Sequence, residues 1–169
     1  MSDPSPHPRP RRWLRWTGEA LLVLAVFAAT HWWLTRDMAG GRAPPLVGLL
    51  ADGSAYQLQS GDRATLVHFW ATWCPICRLE HDSIAAIAAD RPVVSVAIHS
   101  GGIGEVADYL HEQGLTFPVV VDESGDLAAL WGVGGVPASF IVDRDGEIRH
   151  VTRGYTTEWG LRLRLWLAD

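Results

Sequence analysis

Hydrophobic and polar positions divide the chain into an apolar N-terminal segment and a body in which two kinds of pattern alternate. Residues 16–35 are mostly apolar over about 20 positions, roughly the length that a helix needs to cross the hydrocarbon core of a membrane. In the body, short apolar runs indicate strands, and longer stretches with apolar residues three and four apart indicate helices. The pattern therefore predicts one N-terminal helix followed by one α/β domain.

The body begins with two short strands, 46–50 and 56–58, which an Asp52-Gly53 turn joins into a hairpin. The elements that follow are predicted, in chain order, as strand 65–70, helix 74–89, strand 93–98, helix 105–113, strand 117–121, helix 127–131, a hairpin of 139–142 with 148–152, and a helix that Thr156 or Thr157 caps and that ends at 168. The predicted apolar side of helix 74–89 consists of Ile76, Leu79, Ile84 and Ile87. This order implies a mixed central β-sheet flanked by helices, with an N-terminal β-hairpin extension.

Charge is distributed unevenly along the chain and predicts the orientation of the N-terminal segment. Four of the 14 arginines precede residue 16, whereas 17 of the 19 acidic residues lie in 36–169. Because arginine is concentrated on the cytoplasmic side of membrane segments, we predict a cytoplasmic basic tail (1–15), a single-pass transmembrane signal anchor (16–35), a linker (36–45) and a folded domain (46–169) in the bacterial periplasm. A cleaved signal peptide is the alternative, because the uninterrupted apolar stretch, 20–29, is short. A net charge of −5 and the absence of lysine disfavour a nucleic-acid partner.

Cys74 and Cys77 are the two cysteines of the chain, and they form a C-x-x-C motif where strand 65–70 leads into a helix. Unpaired backbone N–H groups and the helix dipole stabilise a thiolate at the start of a helix, and Pro75 suits the first helical position. One helical turn separates the cysteines. An exposed Cys74 can therefore attack a disulfide in a partner, and a buried Cys77 can resolve the mixed disulfide.

The run W-C-P-I-C at 73–77, its preceding strand and the later Val136-Pro137 resemble the thioredoxin superfamily. More narrowly, the chain resembles membrane-anchored TlpA-like proteins of the ScsD type over nearly its full length, through its basic N-terminal anchor and the run G-Y-T-T-E-W-G-L-R-L-R-L-W near its end. The resemblance implies a thioredoxin fold and a cis peptide bond before Pro137, beside the cysteines. It also implies that Val136 offers backbone hydrogen bonds to an extended substrate segment and that Trp73 covers part of the site.

The activity that this resemblance implies is disulfide exchange with protein substrates, in the reducing direction. An inner-membrane thiol transporter is the expected redox partner that restores the dithiol. No dissociable cofactor is expected, because the cysteine pair itself carries two electrons.

Three further residues are candidates for binding substrate or tuning the cysteines. Ile76 lies between the cysteines, and Glu80 matches the acidic residue of the TlpA-like C-x-x-C-x-x-E pattern, although a solvated surface charge is its alternative interpretation. His68 stands where thioredoxin has a buried aspartate. A neutral His68 could accept a proton from Cys77, and a core histidine with one hydrogen bond is the alternative.

A metal-binding function is the alternative to disulfide exchange. Cys74, Cys77 and His81 share a helix face at spacings of three and four, which suits a soft ion such as copper(I). Otherwise His81 is expected to be an exposed helix residue. Asp82 occupies the position of a helix proline found in many thioredoxin relatives. The helix kink that this proline causes in those relatives is therefore not expected here. Trp159 and Trp166 are expected to pack the last helix on the sheet.

Overall fold

The computed structural model describes residues 12–169, so the predicted cytoplasmic tail lies outside the described residues up to position 11. The chain forms two compact units, the first ending at Arg36 and the second spanning Asp37–Asp169. The first unit contains helix α1 (Arg12–Thr35). Within residues 12–169, no helix combines the length and the apolar character needed to span a membrane, so the predicted anchor is not confirmed.

The second unit contains eight strands and five helices. The strands are β1 (Gly41–Arg42), β2 (Val47–Leu49), β3 (Ala55–Gln57), β4 (Thr65–Trp70), β5 (Val93–Ile98), β6 (Val119–Asp122), β7 (Ala138–Val142) and β8 (Glu147–Arg153). The helices are α2 (Pro75–Arg78), α3 (His81–Ala88), α4 (Ile103–Gln113), α5 (Asp126–Leu130) and α6 (Glu158–Ala168).

Six strands form a mixed sheet in the order β1-β8-β7-β4-β5-β6, and β2 and β3 form a separate hairpin. Strands β4, β5 and β6 run parallel to one another, whereas β7 and β8 are antiparallel to their neighbours. All six residues of β5 are buried, as its continuous apolar run predicts. The predicted α/β architecture with a mixed sheet, flanking helices and an N-terminal hairpin is confirmed.

Part of the predicted linker, 36–45, belongs to the folded domain. Strand β1 pairs antiparallel with β8, opposite Glu147 and Ile148. The backbone N–H of Ala39 donates to the carbonyl of Trp131 at 2.9 Å. A two-residue strand in a Gly- and Pro-containing stretch carries no apolar alternation, so its pairing with a distant strand was not visible in the sequence.

The predicted helix 74–89 is two helices, because the chain turns between Arg78 and His81. Glu80 has φ −96° and ψ −14°, and its N–H donates to the carbonyl of Cys77, three residues back, at 3.0 Å. This tighter turn interrupts the α-helix without a proline at position 82. It also directs Glu80 into the interior, where the residue is 1% exposed.

Helix α6 buries one face and exposes its tryptophans. Leu161 and Leu165, four residues apart, are fully buried, whereas Trp159 and Trp166 are 82% and 69% exposed. The expectation that both tryptophans pack on the sheet is therefore wrong. The buried face of α6 is filled by smaller side chains, and the tryptophans lie at other angles around the helix.

Candidate active site

Cys74 and Cys77 are joined in a disulfide at the start of α2. Cys74 is the N-cap residue with extended backbone (φ −88°, ψ 109°), and Pro75 occupies the first helical position. The N–H of Cys77 donates to the Cys74 Sγ at 3.2 Å. A donated N–H stabilises negative charge on the sulfur, so this geometry favours the thiolate of Cys74 once the disulfide is reduced.

The two cysteines differ little in exposure, because Cys74 is 4% exposed and Cys77 is completely buried. Cys74 is therefore more covered than the exposed nucleophile that the sequence predicts. Its Sγ lies 3.9 Å from the carbonyl oxygen of Val136, in the loop before β7. The order of accessibility still favours Cys74 as the attacking sulfur.

The loop before β7 brings Val136 and Pro137 to the disulfide. The Val136–Pro137 peptide bond is cis, as the resemblance implies. Strand β7 pairs with β4, opposite Phe69 at Ala138, and β4 leads into the Cys74 turn. The pairing of these two strands therefore places the cis-proline loop beside the cysteines.

Exposed apolar side chains surround the disulfide on its α2 side. Trp73 is exposed and donates its indole N–H to the carbonyl of His99 at 3.0 Å, which fixes the ring. Ile76 and Leu79 are exposed as well. Both residues were predicted on the apolar side of one continuous helix, and that prediction is wrong for them. The helix ends after Arg78, so Ile76 and Leu79 do not share the buried face of Ile84 and Ile87. This apolar rim can contact a substrate chain that reaches Cys74.

Glu80 lies one turn beyond Cys77 and is buried, so its interpretation as a solvated surface charge is wrong. Its Oε1 accepts the backbone N–H of Thr156 at 2.5 Å. Its Oε2 lacks a hydrogen-bond partner among the residues that the structure describes. Burial raises the pKa of the Glu80 carboxyl to about 7, although the Thr156 N–H acts in the opposite direction. Thr156 was missed as a site residue because the contact spans 76 positions of sequence.

His68 is completely buried on β4, with its Nδ1 at 2.9 Å from the Ser139 Oγ. Its Nε2 lies 3.9 Å from the Glu80 Oε2. Burial, with a smaller effect of His81, lowers the pKa of His68 to about 3, so the imidazole is neutral near pH 7. In the described part of the chain, no hydrogen bond joins His68 to Cys77, whose proton it was predicted to accept. Its polar neighbours are instead Ser139 and Glu80.

The copper set predicted from Cys74, Cys77 and His81 is not assembled. The cysteines are bonded to each other, and the His81 ring packs edge-to-face on Trp70 with centroids 5.0 Å apart. His81 is buried rather than exposed, and burial, with a smaller effect of Arg78, lowers its pKa against the opposing effect of Asp82. Between residues 12 and 169, no group of three or more His, Cys, Asp or Glu side chains is placed to hold a metal ion.

The domain is a mixed β-sheet flanked by helices, and its C-x-x-C disulfide lies at the first turn of a helix. These two features together define the class of thiol–disulfide oxidoreductases with a thioredoxin-like fold. A family model described as Redoxin matches residues 38–160, which is most of the chain. The chain belongs to the Redoxin family, and its predicted place in the thioredoxin superfamily is confirmed.

Named relatives share this similarity over most of their length. A thioredoxin-like protein of Haemophilus influenzae is 37% identical over 120 residues, which cover 69% of this chain and 71% of the relative. A thiol:disulfide interchange protein DsbE homolog of Paracoccus denitrificans is 34% identical over 154 residues, which cover 80% of this chain and 84% of the relative. The crystal structure of a thiol:disulfide interchange protein from Chlorobium tepidum superimposes with a TM-score of 0.65 at 26% identity, covering 77% of this chain and 97% of that one.

Proposed function

We propose that this chain reduces disulfides in protein substrates, with Cys74 as the nucleophile and Cys77 as the resolving thiol. The observation that carries the proposal is the hydrogen bond from the Cys77 N–H to the Cys74 Sγ at 3.2 Å, beside the Val136 carbonyl. It gives the two sulfurs different chemistry, because the sulfur that receives the N–H is the better stabilised thiolate.

The reaction is two successive exchanges. The Cys74 thiolate attacks one sulfur of the substrate disulfide, which breaks the substrate S–S bond, forms a mixed disulfide and releases one substrate thiolate. The Cys77 thiolate then attacks the Cys74 Sγ, which releases the second substrate thiol and forms the Cys74–Cys77 disulfide. Two electrons pass from the enzyme to the substrate, and no dissociable cofactor takes part.

Substrate binding is assigned to the surface around Cys74. The backbone of Val136, presented by the loop that Pro137 shapes, offers hydrogen bonds to an extended substrate segment. Trp73, Ile76 and Leu79 contribute the apolar contacts. Their exposure beside a nearly buried sulfur supports this assignment, because a substrate must cover the rim to reach Cys74.

Glu80 is assigned as the group that accepts the proton of Cys77. Its carboxyl is buried one turn from Cys77, and burial brings its pKa to about 7, close to the pH at which it must exchange a proton. Removal of the Cys77 proton is required before that sulfur can attack the mixed disulfide.

The reducing direction has its support in the resemblance to TlpA-like proteins, and it has a direct test. Equilibration with glutathione should give the Cys74–Cys77 couple a reduction potential more negative than about −200 mV, as in glutaredoxins and thioredoxin. A potential at or above about −150 mV, towards the value of DsbA, would instead identify an oxidant.

We also propose that residues 16–35 tether the protein to the bacterial inner membrane, with the Cys74 domain in the periplasm. Residues 20–29 of helix α1 are apolar without interruption, so the middle of this helix has no polar side, and an apolar surface of that kind is covered by protein or by a membrane. An inner-membrane thiol transporter would then be the source of electrons, since a tethered domain meets membrane proteins readily.

The tether predicts where the protein is found in fractionated cells. The protein should sediment with membranes and resist extraction by high salt, at a mass near the full 18.5 kDa. A soluble periplasmic species that begins after about residue 28 would instead show cleavage of a signal peptide, and the tether would be wrong.

A further inference from the structure

Two buried polar atoms face each other beneath the active site without a hydrogen bond. They are the Nε2 of His68 and the Oε2 of Glu80, 3.9 Å apart, and neither has a partner among residues 12–169. Their side chains are 0% and 1% exposed. An unpaired buried polar group is costly, and a displacement of about 1 Å would bring these atoms to hydrogen-bond distance.

Ser139 determines which atom His68 can offer to Glu80. Ser139 lies directly opposite His68 in the β4–β7 pairing, and its Oγ is 2.9 Å from Nδ1. When the serine hydroxyl donates to Nδ1, a neutral imidazole carries its proton on Nε2. The atom facing Glu80 is then an N–H donor, which suits a carboxylate that can only accept.

The Glu80 carboxyl therefore lies between two donors from different parts of the fold. Thr156, before α6, donates its N–H to Oε1, and His68, on β4, faces Oε2. The other titratable groups near this pair are Cys77, one turn before Glu80, and His81 on α3. Both donors are uncharged near pH 7, so they stabilise the carboxylate by hydrogen bonding rather than by ion pairing.

We propose that His68 is a positioning residue whose Nε2–H donates to the Oε2 of ionised Glu80 and so keeps that carboxyl able to take a proton from Cys77. Burial alone disfavours the ionised form of Glu80, and a hydrogen bond donated to the carboxylate counteracts this effect of burial. His68 acts through Glu80 and does not exchange a proton with Cys77 itself. The consequence for catalysis rests on the proposed function, whereas the proposed hydrogen bond itself is tested in the oxidised protein without any reference to catalysis.

Titration of Glu80 by carbon-13 NMR tests the proposal in the oxidised full-length protein labelled at its glutamate carboxyl groups. The spectrum of Glu80→Gln assigns the Glu80 resonance. His68→Leu removes the donor and should raise the midpoint by about one pH unit, a tenfold change in proton affinity. His68→Gln places an amide N–H near the position of Nε2 and should keep the midpoint within about 0.3 unit of wild type.

An unchanged midpoint in folded His68→Leu would overturn the proposal, as would equal shifts in the Leu and Gln variants. Ser139→Ala serves as a milder variant should His68→Leu not fold. This variant keeps the imidazole but removes the hydroxyl that fixes which of its nitrogens carries the proton. The midpoint of the Glu80 titration should therefore rise by a smaller amount than in His68→Leu. No rise would also overturn the proposal. If wild-type protein shows the expected titration but fails to reduce disulfides, the proposed function is wrong and the His68–Glu80 hydrogen bond stands.

Discussion

Cells that express a Cys77→Ser variant are expected to accumulate mixed disulfides between Cys74 and substrate proteins. Attack by Cys74 proceeds, but no second thiol is present to release the substrate, so the intermediate persists. Non-reducing gel electrophoresis after acid quenching should show a ladder of complexes that collapses when a reductant is added. Turnover of protein disulfides by this variant should fall at least 100-fold, because a two-step reaction stops at its first step.

Cys74→Ser is the matched control, since it removes one sulfur from the same pair and leaves the other buried. It should trap little, because Cys77 is completely buried and is not presented to a substrate. Comparable trapping by both variants, or stronger trapping by Cys74→Ser, would show that the roles of the two sulfurs are reversed or shared.

The second large effect concerns Glu80→Gln, which should become more stable relative to wild type as the pH rises. The folded-state pKa of Glu80 is raised from 4.5 to about 7, so between these values the folded protein binds a proton that the unfolded chain has lost. The stability that this group contributes is fully present below pH 4.5 and is lost as the pH rises through 7. Glutamine does not titrate, keeps an oxygen for the Thr156 N–H and avoids that loss.

The difference in unfolding free energy between variant and wild type should grow by up to about 3 kcal/mol between pH 4.5 and pH 8. Urea denaturation of both oxidised proteins at pH 4.5, 6, 7 and 8 measures it. A constant offset between the proteins does not affect the result, because only the change with pH is compared. The titration of His68, with its pKa lowered to about 3, has the opposite sign and is common to both proteins. A difference that stays flat across this range would contradict the buried, titrating Glu80.

The parts of the fold that were predictable carry their signal locally. Strands β4 and β5 were predicted at the bounds that the structure has, because both are apolar runs that lie inside the sheet. The hairpin β2–β3 was predicted by the Asp52-Gly53 turn between its strands. The C-x-x-C motif likewise identified the disulfide, since its two cysteines need only one helical turn to meet.

The features that were missed depend on contacts between distant positions. Strand β1 exists because β8 pairs with it. The turn after Arg78 places Glu80 where its carboxylate accepts a hydrogen bond from the distant Thr156 N–H. That turn shifts the helical register, so Leu79 becomes exposed and His81 buried, the reverse of what an unbroken helix predicts. Ser139 could have been found only by knowing that β7 pairs with β4 in this register.

Catalysed reduction of insulin by dithiothreitol is the most direct test of the central claim that Cys74 and Cys77 exchange disulfides with proteins. Catalytic amounts of wild-type protein should shorten the lag before the reduced insulin B chain precipitates, and Cys74→Ser should leave the lag at that of dithiothreitol alone. Metal analysis of the protein purified in reduced form belongs to the same experiment. A wild-type lag equal to the uncatalysed one, with stoichiometric copper bound to the reduced protein, would contradict disulfide exchange and favour a copper-handling function.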